Sequence, residues 1–176
     1  MKQIIILITL LFLCSCTKEI KQNHDSVFKY LLKQKNILEF GDFFVVQRSE
    51  SDSYLYRNND FNVEYWFTIN TDINNPFEYY DEGKNKSDNY LKINFPKDFI
   101  KIKSVINKTL NFSSILFQKF DLKAINGWLD KGGKVELEFS FKDNTALCYF
   151  QERNSESLGN EKIIKRYDEN WVLVKD

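Results

Sequence analysis

The sequence predicts an α+β fold, with helices packed on a curved, mainly antiparallel sheet that ends in a four-strand meander. Two stretches alternate between apolar and polar residues, at 61–70 and 135–142. That period of two is typical of a strand with one buried face and one solvated face. Apolar residues with helical spacing occur elsewhere, and helices on one side of an antiparallel sheet make an α+β arrangement.

The N-terminal half of the domain begins with a predicted helix from Ser26 to Phe40. Asp25 or Ser26 would be its N-cap, and Gly41 would take the C′ position. Three strands, a long polar loop and a fourth strand ended by Pro96 follow. They are predicted at residues 43–48, 54–57 and 61–70 for the strands, 71–88 for the loop and 90–95 for the fourth strand.

The C-terminal half begins with residues 97–120, whose apolar spacing fits a helix or a strand, with a helix favoured up to about Asn111. Asp121 is predicted to cap a short helix at 122–129, because four apolar residues there would share a face. The predicted meander follows, with strands at 135–141, 145–151, 163–167 and 171–174. No repeat or linker interrupts the chain, so residues 26–176 are predicted to form a single α+β domain.

The closing hairpin ends in Trp171-Val172-Leu173-Val174-Lys175. These strands resemble the last strands of NTF2-like and cystatin-like domains, and the resemblance has no diagnostic motif. It implies a cone-shaped domain whose pocket could hold a small ligand or two catalytic carboxylates. Such a fold does not decide function by itself.

The N-terminus has the pattern of an export signal. Lys2 precedes an apolar run from Ile4 to Leu13, which is too short for a membrane-spanning helix. The run ends in Leu13-Cys14-Ser15-Cys16, which resembles the lipobox of bacterial lipoproteins. The resemblance implies that residues 1–15 are a signal peptide, cleaved before Cys16, and that Cys16 carries diacylglycerol and an acylated amine. Residues 16–25 would then be the lipidated cysteine and its tether.

Two or three acyl chains exceed the threshold for stable anchoring, so the predicted partner of Cys16 is a membrane. Cys16 is not followed by aspartate, the residue that retains many lipoproteins on the inner membrane of Gram-negative bacteria. This favours the outer membrane, and it does not distinguish between the two leaflets. The alternatives are an ordinary secretory signal with an incidental cysteine, or a short uncleaved anchor.

Composition restricts the possible functions. The 25 basic and 25 acidic residues balance, which argues against nucleic acid as a partner and against a polybasic membrane patch. Once Cys14 is removed and Cys16 lipidated, Cys148 is the remaining thiol, so no intrachain disulfide is expected. Sixteen phenylalanines, nine tyrosines and three tryptophans can supply a large core instead.

Residue types for common catalytic or metal sites are scarce, and no cofactor is predicted. His24 is the single histidine and is predicted to be a solvated surface residue. Cys148 is predicted to be a small buried hydrophobe on an inner strand rather than a reactive thiol. Glu136 and Glu138 could serve a hydrolase as paired acids. The flanking Lys134 and Lys142 favour a solvated, charge-paired surface instead.

The segment from Asn75 to Asn89 is the predicted recognition site. Phe77, Tyr79 and Tyr80 stand there among acidic residues, a combination that could stack on sugar rings or form a protein-recognition patch. The alternative is that these rings pack onto the sheet edge. Trp66, on the polar face of strand 61–70, is the second candidate for partner binding.

Together these features predict a membrane-anchored cell-envelope lipoprotein whose domain is a non-catalytic binding or interaction module. A periplasmic immunity protein, an inhibitor or an accessory subunit would have them. The expected partner is an envelope protein or a glycan. The competing hypothesis is a carboxylate-based hydrolase or a small-ligand-binding protein with an NTF2-like pocket.

Overall fold

A computed structural model describes residues 23–34, 44–49, 53–72, 74–129, 134–151 and 162–175. The predicted signal peptide, Cys16 and the tether up to residue 22 lie outside the described residues, as does Gly41, the predicted C′ residue. The helices are α1 (His24–Leu31), α2 (Asp81–Asn94) and α3 (Phe99–Lys119). The strands are β1 (Phe44–Arg48), β2 (Tyr54–Asn58), β3 (Val63–Ile69), β4 (Phe77–Tyr79), β5 (Leu122–Leu129), β6 (Val135–Phe141), β7 (Thr145–Phe150), β8 (Lys162–Arg166) and β9 (Trp171–Lys175).

The strands form one nine-stranded sheet in the order β4-β3-β2-β1-β5-β6-β7-β9-β8, and every neighbouring pair is antiparallel. The sheet is open, and the predicted α+β class is confirmed. The core lies where the three helices pack on one sheet face, since Val27 of α1, Leu91 of α2 and Ile106 of α3 share one buried cluster with strand residues. None of the helices in the described ranges is long and apolar enough to cross a membrane.

The two alternating stretches are strands, as predicted. In β3, Val63, Tyr65 and Phe67 are buried in the core, while Glu64 and Trp66 are exposed. The odd-numbered residues of β6, from Val135 to Phe141, are buried in the same core. In both strands the period of two distinguishes the core face from the opposite face.

The prediction of a short helix at 122–129 is wrong, because these residues form β5. The register of β5 against β6 shifts between Leu122 and Ala124, which indicates a β-bulge. The extra residue places Leu122 and Ile125 in the same core, although they are three positions apart. A bulge therefore produced the spacing that resembled a helix.

Residues 71–95 also differ from the prediction. The expected loop contains β4 and the start of α2, and the expected strand at 90–95 lies mostly in α2. Acidic Asp81 and Glu82 stand in the first turn of this helix and Lys92 in its last turn, which matches the helix dipole. The ambiguous stretch after Pro96 is helical as far as Lys119, eight residues beyond Asn111.

The four C-terminal strands are present, but their order is not that of a meander. Strand β9 lies between β7 and β8, so β8 forms the edge of the sheet. Residues 171–174 of β9 are buried, whereas Lys162, Lys165 and Arg166 of β8 are exposed. The apolar strand takes the inner position because charged side chains are tolerated at an edge, where they also discourage further strand pairing.

Helix α1 begins two residues earlier than predicted and ends at Leu31, well before the predicted end at Phe40. Its N-cap is Asn23, whose side-chain oxygen accepts a hydrogen bond from the Ser26 backbone N–H at 3.1 Å. The prediction of a solvated His24 is wrong, because the ring packs edge-on against Phe141 at 4.6 Å and lies 2.9 Å from the Thr145 hydroxyl. Cys148 is buried on β7, as expected.

Candidate functional site

The structure separates the four predicted recognition residues into two pairs. Phe77 and Tyr79 of β4 are half-buried and pack against the core. The Tyr79 ring lies 5.2 Å from the Tyr65 ring. Trp66 and Tyr80 lie at the surface, with exposed fractions of 38% and 47%. The recognition hypothesis therefore depends on Trp66 and Tyr80, because Phe77 and Tyr79 contribute to packing.

Trp66 lies between two open depressions of about 500 and 520 Å³, which we call together the Trp66 groove. Tyr80 lines the first depression, and Tyr90 of α2 lines the second with 36% of its side chain exposed. Glu82 and Gly83 line both. Three partly exposed aromatic side chains therefore border two adjoining depressions. Large rings of this kind supply apolar contact area without needing a deep pocket.

Helix α2 forms one side of the groove because it docks against the edge of β3. The Ser87 hydroxyl accepts a hydrogen bond from the Glu64 N–H at 3.3 Å and donates one to the Glu64 carbonyl at 2.5 Å. A serine side chain thus satisfies backbone groups that a neighbouring strand would otherwise pair. Four residues earlier, Gly83 lies beside the Trp66 backbone, where an added Cβ would make an ordinary van der Waals contact 3.5 Å from the Trp66 nitrogen.

A largely buried polar cluster, which we call the α2 anchor, holds the helix in this position. It consists of Asp88, Lys103, Tyr65 and Tyr79. Asp88 accepts a 2.8 Å hydrogen bond from the Tyr65 hydroxyl and forms a 2.7 Å ion pair with the Lys103 ammonium. That ammonium lies 4.0 Å from the Tyr65 ring centre and 4.4 Å from that of Tyr79. The cluster therefore connects α2, α3, β3 and β4.

The α2 anchor shifts the pKa of three of its members. Burial lowers the pKa of Lys103, although the neighbouring Asp88 carboxylate opposes this effect. Burial raises the pKa of Tyr65, and the hydrogen bond to Asp88 raises it further. Burial also raises the pKa of Tyr79, with the Asp88 charge adding to the effect. Both tyrosines therefore stay protonated at neutral pH, and the charged pair in this cluster is Asp88 and Lys103.

The rim of the groove is polar and mostly acidic. Asp81 and Glu82 are exposed beside Trp66, and Lys86 lines the depression on the Tyr90 side. Glu64 is exposed and forms a 2.7 Å ion pair with Arg57 of the adjacent strand. Aromatic rings at the centre with charges around them resemble the arrangement of a protein-binding patch, in which the rings supply affinity and the rim charges supply selectivity.

Sequence reasoning included Gly83 in the predicted recognition segment 75–89 but assigned it to a loop, and it missed Tyr90 because it assigned that residue to a strand. A helical signal was present. Gly83, Ser87 and Leu91 are spaced by four, and Ser87 and Leu91 are the buried residues of α2. Small residues at that spacing indicate a helix that approaches another backbone closely. Tyr90 directly precedes Leu91 and therefore lies beside that face.

The carboxylates considered for hydrolysis lie elsewhere, on β6. The prediction that they form a solvated, lysine-paired surface is wrong for Glu136, which is 5% exposed and accepts a 2.5 Å hydrogen bond from the Trp128 indole N–H. Glu138 accepts hydrogen bonds from Asn126 and Ser140. Lys142 pairs with Asp121 at 2.7 Å rather than with either glutamate. Both carboxylates are engaged by side chains of their own sheet.

In the described ranges, histidine, cysteine and acidic side chains form no group of three or more that could hold a metal ion. No protein-family model, curated protein or solved structure matches this chain.

Proposed function

We propose that this protein is a lipid-anchored lipoprotein of the bacterial cell envelope, and that its domain is a non-catalytic module which binds another envelope protein through the Trp66 groove. Anchoring through lipid on Cys16 is supported by the lipobox-like Leu13-Cys14-Ser15-Cys16. Binding is supported by the geometry around Trp66. The outer membrane is the favoured location, because no aspartate follows Cys16.

The exposed Trp66 ring carries the proposal. It is 38% exposed beside two tyrosines that are also partly exposed. Tryptophan and tyrosine are enriched among the residues that dominate protein–protein binding energy, especially where neighbouring contacts exclude water from them. The Trp66 carbonyl accepts a 2.9 Å hydrogen bond from the Tyr80 N–H, and Ser87 of α2 bonds to the backbone of Glu64 two residues away, so the site is largely preformed. A preformed site loses less entropy on binding than a flexible loop would.

The polar contacts of β6 support a binding module over a hydrolase. A glycosidase needs one carboxylic acid that protonates the leaving group and a second carboxylate that acts on the sugar or on water. Glu136 and Glu138 instead accept hydrogen bonds from Trp128, Asn126 and Ser140. The helix-covered face of the sheet is filled by core side chains from all three helices.

Photocrosslinking in intact cells of the source bacterium tests the proposal. Glu82 is replaced with a photoreactive phenylalanine analogue, which places the crosslinker between the two depressions. We expect a discrete protein adduct after illumination. The same adduct should weaken by about tenfold or more in the Trp66→Ala background, because loss of a central aromatic residue typically costs 2 kcal/mol or more of binding.

The matched control carries the photoreactive residue at Ile100, which is 81% exposed on α3, outside the groove. Melting curves of the Trp66→Ala protein confirm that it remains folded, and Tyr80→Ala gives a second test with less loss of packing. Equal adducts at both crosslinker positions, or an adduct at Glu82 that persists in folded Trp66→Ala, would refute the proposal. A carbohydrate adduct in place of a protein adduct would refute the protein partner and assign the groove to a glycan.

A further inference from the structure

The N-terminus of α1 lies at a defined end of the sheet strands. The His24 ring nitrogen Nε2 is 2.9 Å from the Thr145 hydroxyl at the start of β7. Thr145 is paired in register with Lys175 of β9, which is paired with Lys162 of β8. The chain that leads back to Cys16 therefore leaves the domain at the same strand ends that carry these two lysines.

Lys162 and Lys175 face each other across two adjacent strands, and both are exposed. Like charges directly opposite each other destabilise a strand pair unless counter-ions neutralise them. Within the described residues, neither lysine forms an ion pair with a carboxylate. This edge would therefore be stabilised by an anionic surface placed against it.

The two acidic residues nearest the start of α1 are already engaged. Asp25 lies 2.7 Å from the Lys165 ammonium and accepts a 2.5 Å hydrogen bond from the Tyr167 hydroxyl. Asp143 accepts a 2.6 Å hydrogen bond from Thr145 and lies 3.4 Å from His24. Both carboxylates are therefore engaged by groups other than Lys162 and Lys175.

An exposed aliphatic side chain lies beside the same exit. Ile164 of β8 is 50% exposed and lines an open depression of about 510 Å³ together with residues 23–25. Isoleucine next to lysines is a combination suited to a bilayer interface, where apolar groups enter the headgroup region and ammonium groups meet lipid phosphates.

The short tether limits how far this region can lie from the bilayer. Eight residue steps separate Cys16 from His24, and a fully extended chain covers at most ~3.6 Å per residue, or about 29 Å. We infer that the β8 edge, with Lys162, Ile164 and Lys175, rests on the bilayer surface and contacts anionic phospholipid headgroups. This inference rests on the anchoring part of the proposed function.

A second exposed apolar corner is less suited to this contact. Ile93 and Ile100 are 76% and 81% exposed where α2 meets α3. That corner lies near the start of β3, since Phe95 contacts Phe61, two residues before the strand, with ring centres 5.6 Å apart. Strand β3 is second and β8 is ninth in the sheet order, so seven spacings of ~4.8 Å put them about 34 Å apart along the sheet. The tether begins near β7, which favours the β8 side.

Site-specific fluorescence of the lipidated protein on vesicles tests the orientation. Ile164→Cys is labelled with a polarity-sensitive nitrobenzoxadiazole dye, and Ile100→Cys is the matched control at the other corner. Cys148 is buried and therefore reacts slowly. On vesicles of phosphatidylcholine and phosphatidylglycerol, we expect a blue shift of the emission at position 164 and no shift at position 100.

The charge requirement is tested in the same assay. Lys162→Glu together with Lys175→Glu should abolish the shift at position 164, whereas Lys97→Glu with Lys101→Glu at the other corner should not. Raising salt to ~1 M, where the Debye length is about 3 Å, should also reduce the shift without releasing the lipid anchor.

The outcomes separate the two hypotheses. Protein that fails to float with the vesicles would refute lipid anchoring on Cys16, and with it that part of the proposed function. Protein that floats but shows no shift at position 164, or shows the shift at position 100 instead, would overturn this orientation alone. A shift that survives both lysine reversals would refute the role of anionic headgroups.

Discussion

Asp88→Asn removes one charge from the α2 anchor and changes little else. Asparagine has nearly the same shape as aspartate, and its side-chain oxygen can still accept the 2.8 Å hydrogen bond from Tyr65. The Lys103 ammonium, 2.7 Å from Asp88 in the native protein, then loses its counter-charge. Because the anchor positions α2 against β3, this substitution tests what stabilises the scaffold of the Trp66 groove.

The magnitude follows from the burial of the pair. Removing one partner of a fully buried ion pair costs about 3–5 kcal/mol, because the remaining charge is left desolvated. Here the side chains of Lys103 and Asp88 keep 15% and 17% of their exposure, and the aromatic rings still face the ammonium. We therefore expect a loss of about 2–3 kcal/mol in the free energy of unfolding. In a domain of this size that corresponds to a drop in Tm of roughly 5–10 °C.

Urea unfolding followed by tryptophan fluorescence measures the loss, with an unchanged m value showing that the folded state stays compact.

Burial already lowers the pKa of Lys103 in the folded protein, and removing the Asp88 charge lowers it further. At pH values between the folded-state pKa of Lys103 and its unfolded-state pKa of about 10.4, the unfolded chain binds more protons than the folded protein. The deficit of Asp88→Asn should therefore shrink as the pH rises from neutral towards 10.

A second substitution makes the reasoning refutable. Lys103→Met keeps a long apolar side chain between the two tyrosine rings and removes the stranded charge. The double variant Asp88→Asn, Lys103→Met should therefore be more stable than Asp88→Asn alone, because replacing a whole buried ion pair by neutral groups is often nearly neutral. The buried charge is not the cause of the lost stability if the losses of the two single variants add in the double variant. The same conclusion follows if the Asp88→Asn deficit does not change with pH.

Three further predictions concern packing, alkaline pH and the anchor. Gly127→Ala should destabilise the protein by about 1–3 kcal/mol in urea unfolding, because the new Cβ would lie 2.4 Å from the buried Phe44 ring. The control Gly83→Ala should leave stability equal or slightly higher, because its Cβ meets nothing closer than 3.5 Å. Stability should fall as the pH rises above about 10, since both tyrosines of the α2 anchor have a raised pKa and the unfolded chain loses its tyrosine protons first. A Tyr65→Phe variant with an undiminished alkaline loss would contradict this. Cys16→Ser should abolish incorporation of labelled palmitate, and label retained by the serine variant would show that the lipid lies elsewhere.

The sequence alone was sufficient for β3 and β6. Their alternation of apolar and polar residues has one interpretation, because a period of two matches a strand whose single face is buried. The hairpin of β8 and β9 and the buried Cys148 were also predictable from local patterns. The lipobox-like signal is local as well, and it stays a prediction because its residues lie outside the described ranges.

Other elements depended on long-range contacts. A bulge in β5 put Leu122 and Ile125 in one core at a spacing of three, which a local reading assigns to a helix. The apolar residues of α2 gave little signal, because this helix buries just Ser87 and Leu91. Strand β9 lies between β7 and β8 because the more apolar strand of the β8–β9 pair buries more surface in the inner position. Which strand that is depends on the whole sheet.

The sequence by itself determined the residue types of the candidate site, with aromatic and acidic side chains concentrated around residues 66 and 75–89. Tertiary structure decided which of those rings can meet a partner. Tyr79 and Tyr80 are neighbours in the chain, yet pairing of β4 with β3 directs the Tyr79 ring into the core, where it contacts Tyr65. Tyr80 ends up beside Trp66 because the strand stops there and α2 begins, and such a boundary depends on contacts between distant segments rather than on local pattern.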